Sequence, residues 1–190
     1  MHEPLSSTLE GLKEEHRVIE RTLKILETTY KRLEEGESVP VEVFEKFIYF
    51  IKNFVDLCHH GKEEKVLFPL IEKYGFPREG GPTGVMLLEH EQGRTLVKAL
   101  AEAVERYKRG EEAAKRSLIE CSQAYILLLT QHIPKEDEIL YPLADRIFSA
   151  DEKKSLLKGF REVEEYSVGP GKHEELLNYI DELEREVNKF

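Results

Sequence analysis

Three things are scarce in these 190 residues: cysteine, long apolar runs and positive charge. The two cysteines, Cys58 and Cys121, lie far apart and outside any CxxC arrangement, which excludes a disulfide framework and a cysteine-based zinc site. Both are read as thiols that fill core space. The longest uninterrupted apolar run is Ala124 to Leu129, far short of the roughly 20 residues that cross a bilayer. The opening MHEPLSS has no basic stretch followed by an apolar one, so a cytoplasmic, unanchored protein is expected. With 28 Lys and Arg against 38 Asp and Glu, a formal charge of -10, the chain is poorly suited to gripping nucleic acid or an anionic membrane. Clean strand-length alternation of apolar and polar residues is lacking too, which leaves no case for a sheet.

What is there is helical periodicity. Ser7-Thr8-Leu9-Glu10 reads as a capping box, followed by apolar residues at three- and four-residue steps from Leu9 to Leu33 and a stop at Gly36. A second helix starts at Pro40 and carries Phe44, Phe47, Ile51, Phe54 and Val55 towards a break or kink at Pro69. A Gly- and Pro-bearing loop leads to a third helix from about Thr83 to Arg109, and a fourth runs from about Glu112 to near Pro142. Ser149-Ala150-Asp151-Glu152 caps a further short helix, and a last amphipathic helix follows Gly169-Pro170-Gly171. Short connections make neighbours antiparallel, so the expected fold is all-α: an up-down-up-down four-helix bundle over residues 1–148. Residues 149–190 are expected as a helical extension packed on the bundle, too short to bury a core alone.

The chemistry lies in an internal repeat. His59-His60-Gly61-Lys62-Glu63-Glu64-Lys65-Val66-Leu67-Phe68-Pro69 matches His132-Ile133-Pro134-Lys135-Glu136-Asp137-Glu138-Ile139-Leu140-Tyr141-Pro142 as His-x-x-Lys-Glu-x-x-(Val/Ile)-Leu-(Phe/Tyr)-Pro. Four residues advance a helix by just over one turn, so His59/Glu63 and His132/Glu136 can each chelate a metal from an otherwise apolar face. His16 on the first helix and His90 on the third also fall on apolar faces. Buried carboxylates and imidazoles need compensation, which a multivalent cation supplies. Six candidate ligands (His16, His59, Glu63, His90, His132 and Glu136) exceed the usual four of one tetrahedral zinc and suit two metals about 3.5 to 4 Å apart.

His60 and Glu64, rotated about 100° from their neighbours, are expected to face away from the chelating side as solvated or outer groups. Glu20, one turn after His16, is placed to orient an imidazole or to act as a ligand, and the orienting role is the one expected. His2 and His173 are expected at the surface.

The pattern resembles the hemerythrin-like, or HHE cation-binding, family from about residue 8 to residue 148, on His16, the segment 59 to 69, His90 and the segment 132 to 142. The resemblance implies an antiparallel four-helix bundle around a non-haem di-iron site. In it His16, His59, His90 and His132 are iron ligands and Glu63 and Glu136 bridging carboxylates. Two iron ions with an oxo or hydroxo bridge are thus the implied cofactor, although imidazole and carboxylate also accept zinc and manganese. Respiratory hemerythrins carry a second histidine where this chain has Arg94, and an aspartate spaced by five where it has Glu136 spaced by four. The set here is more similar to hemerythrin-like sensors and iron-centre repair proteins, without the N-terminal cysteine pair of the latter. The Glu-x-x-His motif of ferritin-like proteins is missing, since Lys13, Asp56, Leu87 and Leu129 stand three before the four histidines.

Four protein ligands per metal leave room for oxygen, nitric oxide or peroxide. Gly93 is expected to leave space for such a ligand and Arg94 to anchor a carboxylate, while Tyr125 and Cys121 are expected to pack in the core. Three function classes follow: a binding protein for sensing or storage; an enzyme that reduces peroxide or nitric oxide or oxidises iron, served by a redox partner protein; and an iron donor for cluster repair.

Overall fold

The computed structural model describes residues 7–189, with side chains from residue 9 onward. The capping box at Ser7 and His2 therefore lie outside the described side chains. Among the described residues there is no strand, and the architecture is the expected all-α bundle. It begins with α1 (Ser7–Glu34), which buries Leu12, Ile19, Leu26 and Leu33, a stripe repeating every seventh residue. Gly36 ends it at φ 90°, a conformation that costs other residues the clash of a Cβ, and Glu37 N–H closes the cap on the Arg32 carbonyl at 2.9 Å.

The next helix starts as α2 (Val41–Phe50) and continues unbroken through wide i→i+5 turns over Ile51–His60 and Glu63–Leu67 into α3 (Phe68–Lys73). Pro69 therefore does not break the helix. Lacking an N–H, it cannot make the regular bond to the carbonyl four residues back. The wide turn before it, closed by Phe68 N–H on the Glu63 carbonyl, absorbs that gap. The repeat does the same on the other side of the bundle. There α5 (Ala113–Lys135) passes through a wide turn at Glu136–Leu140, closed by Tyr141 N–H on Glu136, into α6 (Tyr141–Ile147). The fourth helix thus runs past Pro142 to Ile147, beyond its expected end. Between them α4 (Pro82–Lys108) completes the bundle, packing on both α2 and α5, while α5 packs on α1.

Two apolar cores fill the bundle. One holds Leu26, Phe44, Phe47, Phe54, Leu100 and Leu118; the other holds Leu12, Leu67, Phe68, Met86, Leu140 and Tyr141. On each long helix a histidine marks the crossing from one core to the other: His16 between Leu12 and Ile19, His59 between Val55 and Leu67, His90 between Met86 and Val97, and His132 between Leu129 and Leu140. A polar layer therefore divides the interior.

The last helices pack into both cores. α7 (Ala150–Glu162) starts with the expected capping box, Ser149 N–H donating to Glu152 Oε2 at 2.8 Å, and adds Leu156 and Phe160 to the second core. After a wide turn at Val163–Val168, α8 (Lys172–Val187) adds Leu176, Ile180, Leu183 and Val187 to the first. No described helix is long and apolar enough to cross a membrane.

Candidate metal centre

The polar layer is built from the six candidate side chains, none more than 2% exposed: His16, His59, Glu63, His90, His132 and Glu136. Their Nε2 atoms face in pairs, His16 and His59 at 2.9 Å and His90 and His132 at 3.2 Å. The two carboxylates lie against these pairs. Glu136 Oε2 is 3.2 Å from His16 Nε2 and 3.1 Å from His132 Nε2, and Glu63 Oε2 is 3.7 Å from His59 Nε2 and 3.5 Å from His90 Nε2. Glu63 Oε2 and both Glu136 oxygens are buried without a well-formed hydrogen bond, whereas Tyr141 Oη donates to Glu63 Oε1 at 2.5 Å.

The other ring nitrogen of every histidine is held by an acid. Nδ1 of His16 meets Asp137 at 2.7 Å, that of His59 Glu15 at 2.9 Å, that of His90 Glu64 at 2.7 Å, and that of His132 Glu89 at 2.8 Å. A carboxylate cannot donate, so each Nδ1 carries a proton, and each Nε2, once it has none, turns a lone pair inward. The acids form a closed ring: the one on each long helix serves the histidine of the next. Each acid is in turn neutralised by a cation on the same helix as the histidine it serves. Arg17 pairs with Asp137, Lys62 with Glu15, Arg94 with Glu64 and Lys135 with Glu89. Two lone pairs facing each other across about 3 Å repel, yet about 3 Å is also the separation of two donors bound at right angles to one ion at about 2.1 Å. Carboxylate-backed imidazoles are the usual outer arrangement of metal-ligating histidines.

The charges agree. Burial pushes the Glu63 carboxyl well above its ordinary value, and the nearby Glu136 pushes it further. Burial would raise Glu136 as well, but the His132 charge and the close imidazoles of His132, His16 and His90 hold it well below. Burial would lower His132, yet Glu136 and Glu89 bring it up to about 9, while burial and the His16 charge take His59 down to about 4. Without metal the cluster balances its charge with protons shared among these groups, whose titrations are joint. A multivalent cation does so while using every inward lone pair.

Residues 7–144 match the family model described as the hemerythrin HHE cation binding domain. The chain belongs to the hemerythrin HHE family. Proteins of Mycobacterium bovis and of two strains of Mycobacterium tuberculosis, each described as an uncharacterized protein, are 24% identical over 181 residues, 95% of this chain and 70% of their own length. As a hemerythrin-like domain the protein binds metal cations, and its buried imidazole and carboxylate donors fit iron.

Several neighbours of the hemerythrin-like cluster sit elsewhere than their spacing suggests. His60 is not solvated: it is 5% exposed and stacks on His90 with ring centroids 3.7 Å apart. Wide turns rotate less per residue than an α-helix, so consecutive His59 and His60 both turn inward. Glu20 orients no imidazole; it pairs with Arg17 at 3.0 Å, half in solvent. His173 is not a plain surface residue, since its Nε2 reaches Glu15 Oε1 at 3.0 Å. Arg94 anchors carboxylates of the protein itself, Asp56 at 2.7 Å and Glu64 at 2.6 Å. A Cβ on Gly93 would meet only ordinary contacts, 3.7 Å from Leu128 and from Tyr125. Tyr125 is buried, and Cys121 packs half-buried against the first core. Sequence reading missed Glu15, Glu89 and Asp137. Their signal was present, because each directly adjoins a candidate ligand, and Lys62 and Lys135 are the invariant lysine of the repeat.

Proposed function

We propose that the protein is a non-haem di-iron protein that binds a small ligand, oxygen, nitric oxide or peroxide, with His16, His59, His90, His132, Glu63 and Glu136 as the metal ligands. The observation that carries this reading is the inward convergence of four Nε2 lone pairs on two carboxylates while every Nδ1 is occupied. Bound iron supplies open positions for a small ligand and, as a pair, two electrons. The protein's own contribution is to fix the imidazoles, to exclude bulk water with two apolar cores, and to place one hydroxyl inside the cluster. That hydroxyl is Tyr141 Oη, 2.5 Å from Glu63 Oε1 and 3.5 Å from His16 Nε2. Burial and the Glu63 charge keep the phenol well above its ordinary value, so it stays protonated and available as a donor.

That donor favours a second reading, reduction of peroxide or nitric oxide, which consumes protons where reversible binding does not. Metal analysis and visible spectra of anaerobically purified protein test both. Two irons per chain and an oxygen adduct reversed by evacuation support binding. Rapid autoxidation with peroxide turnover, lost in Tyr141→Phe, supports the enzyme. Absence of bound transition metal would overturn both.

A further inference from the structure

A cavity of about 630 Å³ opens between the helix of the first histidine motif and α4, and His60 and His90 are among the residues that line it. One water takes up about 30 Å³ of liquid, so this is far more room than a diatomic or peroxide needs. It falls in the range of about 300–1,000 Å³ typical of pockets that enclose organic molecules. The walls are largely apolar, from Ile51, Val55, Val97 and Ala101, with Tyr125 beside them. The charged side chains around it are five Lys and Arg against three acids, a local cationic surplus in a chain of net charge -10. Arg94 is committed to Asp56, Glu64 and Glu91. Lys52, on the helix of the first histidine motif, and Lys98, on α4, both line the cavity as exposed cations with no ion pair among the described residues.

We propose that this cavity binds a medium-chain organic carboxylate, its chain against Val55, Val97 and Ala101 and its carboxylate on Lys52 and Lys98. Burial of the chain drives binding, and the unpaired lysines select the anion over a neutral or cationic molecule of the same length. His90 lies about 12 Å of helix rise from Lys98, which an extended chain of this class spans. An occupied cavity would cover the side of the cluster formed by His60 and His90. The binding site itself stands independently of the metal reading.

The test is titration of the full-length protein, metal-loaded and chelator-treated, with decanoate, decanol and decylammonium by calorimetry, with metal content measured in parallel. Saturable 1:1 binding of decanoate is expected in both forms, weakened about tenfold or more in Lys52→Glu/Lys98→Glu, the loss of charged hydrogen bonds to the carboxylate. These lysines are exposed, so the variant should keep its metal content and melting temperature; Val97→Trp, which fills the cavity, should abolish binding. Equal binding of all three probes, no saturable decanoate binding, or unchanged affinity in both variants would overturn the proposal. A protein that binds decanoate but no iron would leave it standing and overturn the di-iron reading instead.

Discussion

Glu15 binds Nδ1 of His59 across the bundle at 2.9 Å, and not that of His16, its neighbour in the chain. The same displacement holds around the ring, so each histidine depends on the helix beside it for its orientation. The Glu15 position is also the most heavily supported: Lys62, His173 and, through Lys62, Glu164 converge there, the last two from beyond the residues that match the family model.

Removing one acid of the ring should weaken metal binding without unfolding the protein. Glu89→Gln and Glu15→Gln keep the shape but lose the charge that fixes the tautomer, an effect of about 10–100-fold in metal affinity. Competition with a calibrated chelator reads the change. Affinity equal to the parent protein in both variants would contradict the proposed role of the ring.

Glu15 also predicts an acid sensitivity of the metal-free protein. Burial would raise its pKa, but hydrogen bonds from His173 and His59 and the Lys62 charge hold the carboxyl far below the ordinary value of 4.5. A depressed folded pKa contributes stability that is complete above the unfolded value and is lost as pH falls beneath it. Chemical denaturation of the chelated protein should therefore show a midpoint falling below about pH 4.5, and the fall should be shallower in Glu15→Gln. Metal binding should weaken earlier, below about pH 6, where free imidazoles take up protons.

Gly159 of α7 rests directly on the first histidine motif. A Cβ there would lie 2.6 Å from Cγ1 of Val66, a short branched side chain with little freedom to retreat. Gly159→Ala should destabilise the fold by about 1–3 kcal/mol through overpacking, and Val66→Ala in the same chain should recover part of the loss. Thermal melts of the two single variants and the double variant decide it; additive losses would sink the contact.

The two thiols should differ in reactivity. Cys58 is buried and its thiol is pushed up to about 12, chiefly by burial, whereas Cys121 is half-exposed. Mass spectrometry after brief alkylation of the native protein should find adducts on Cys121 and none on Cys58, because the thiolate is the reactive form. Modification of Cys58 at the Cys121 rate would show that the interior near Glu15 opens readily.

The spacing of apolar residues was enough to read the helices, because a buried stripe such as Leu12, Ile19, Leu26 and Leu33 leaves its period in the chain. Proline was misleading in the same reading. Pro69 signals a break or kink and Pro142 an end in a regular helix, but a wide turn placed before each lets the helix continue, and nothing in local propensity announces that turn. His60 was misplaced for the same reason, since a fixed rotation of 100° per residue does not hold there.

The His-x-x-Lys-Glu repeat and the two further histidines determined by themselves that imidazole and carboxylate would share a bundle interior, because residues one turn apart on an apolar face have nowhere else to go. Which acid holds which histidine, and the seating of His173 against Glu15, were decided only by the folded bundle. Those contacts join residues on different helices, and their geometry depends on how the helices rotate and cross, which no spacing along a single chain encodes.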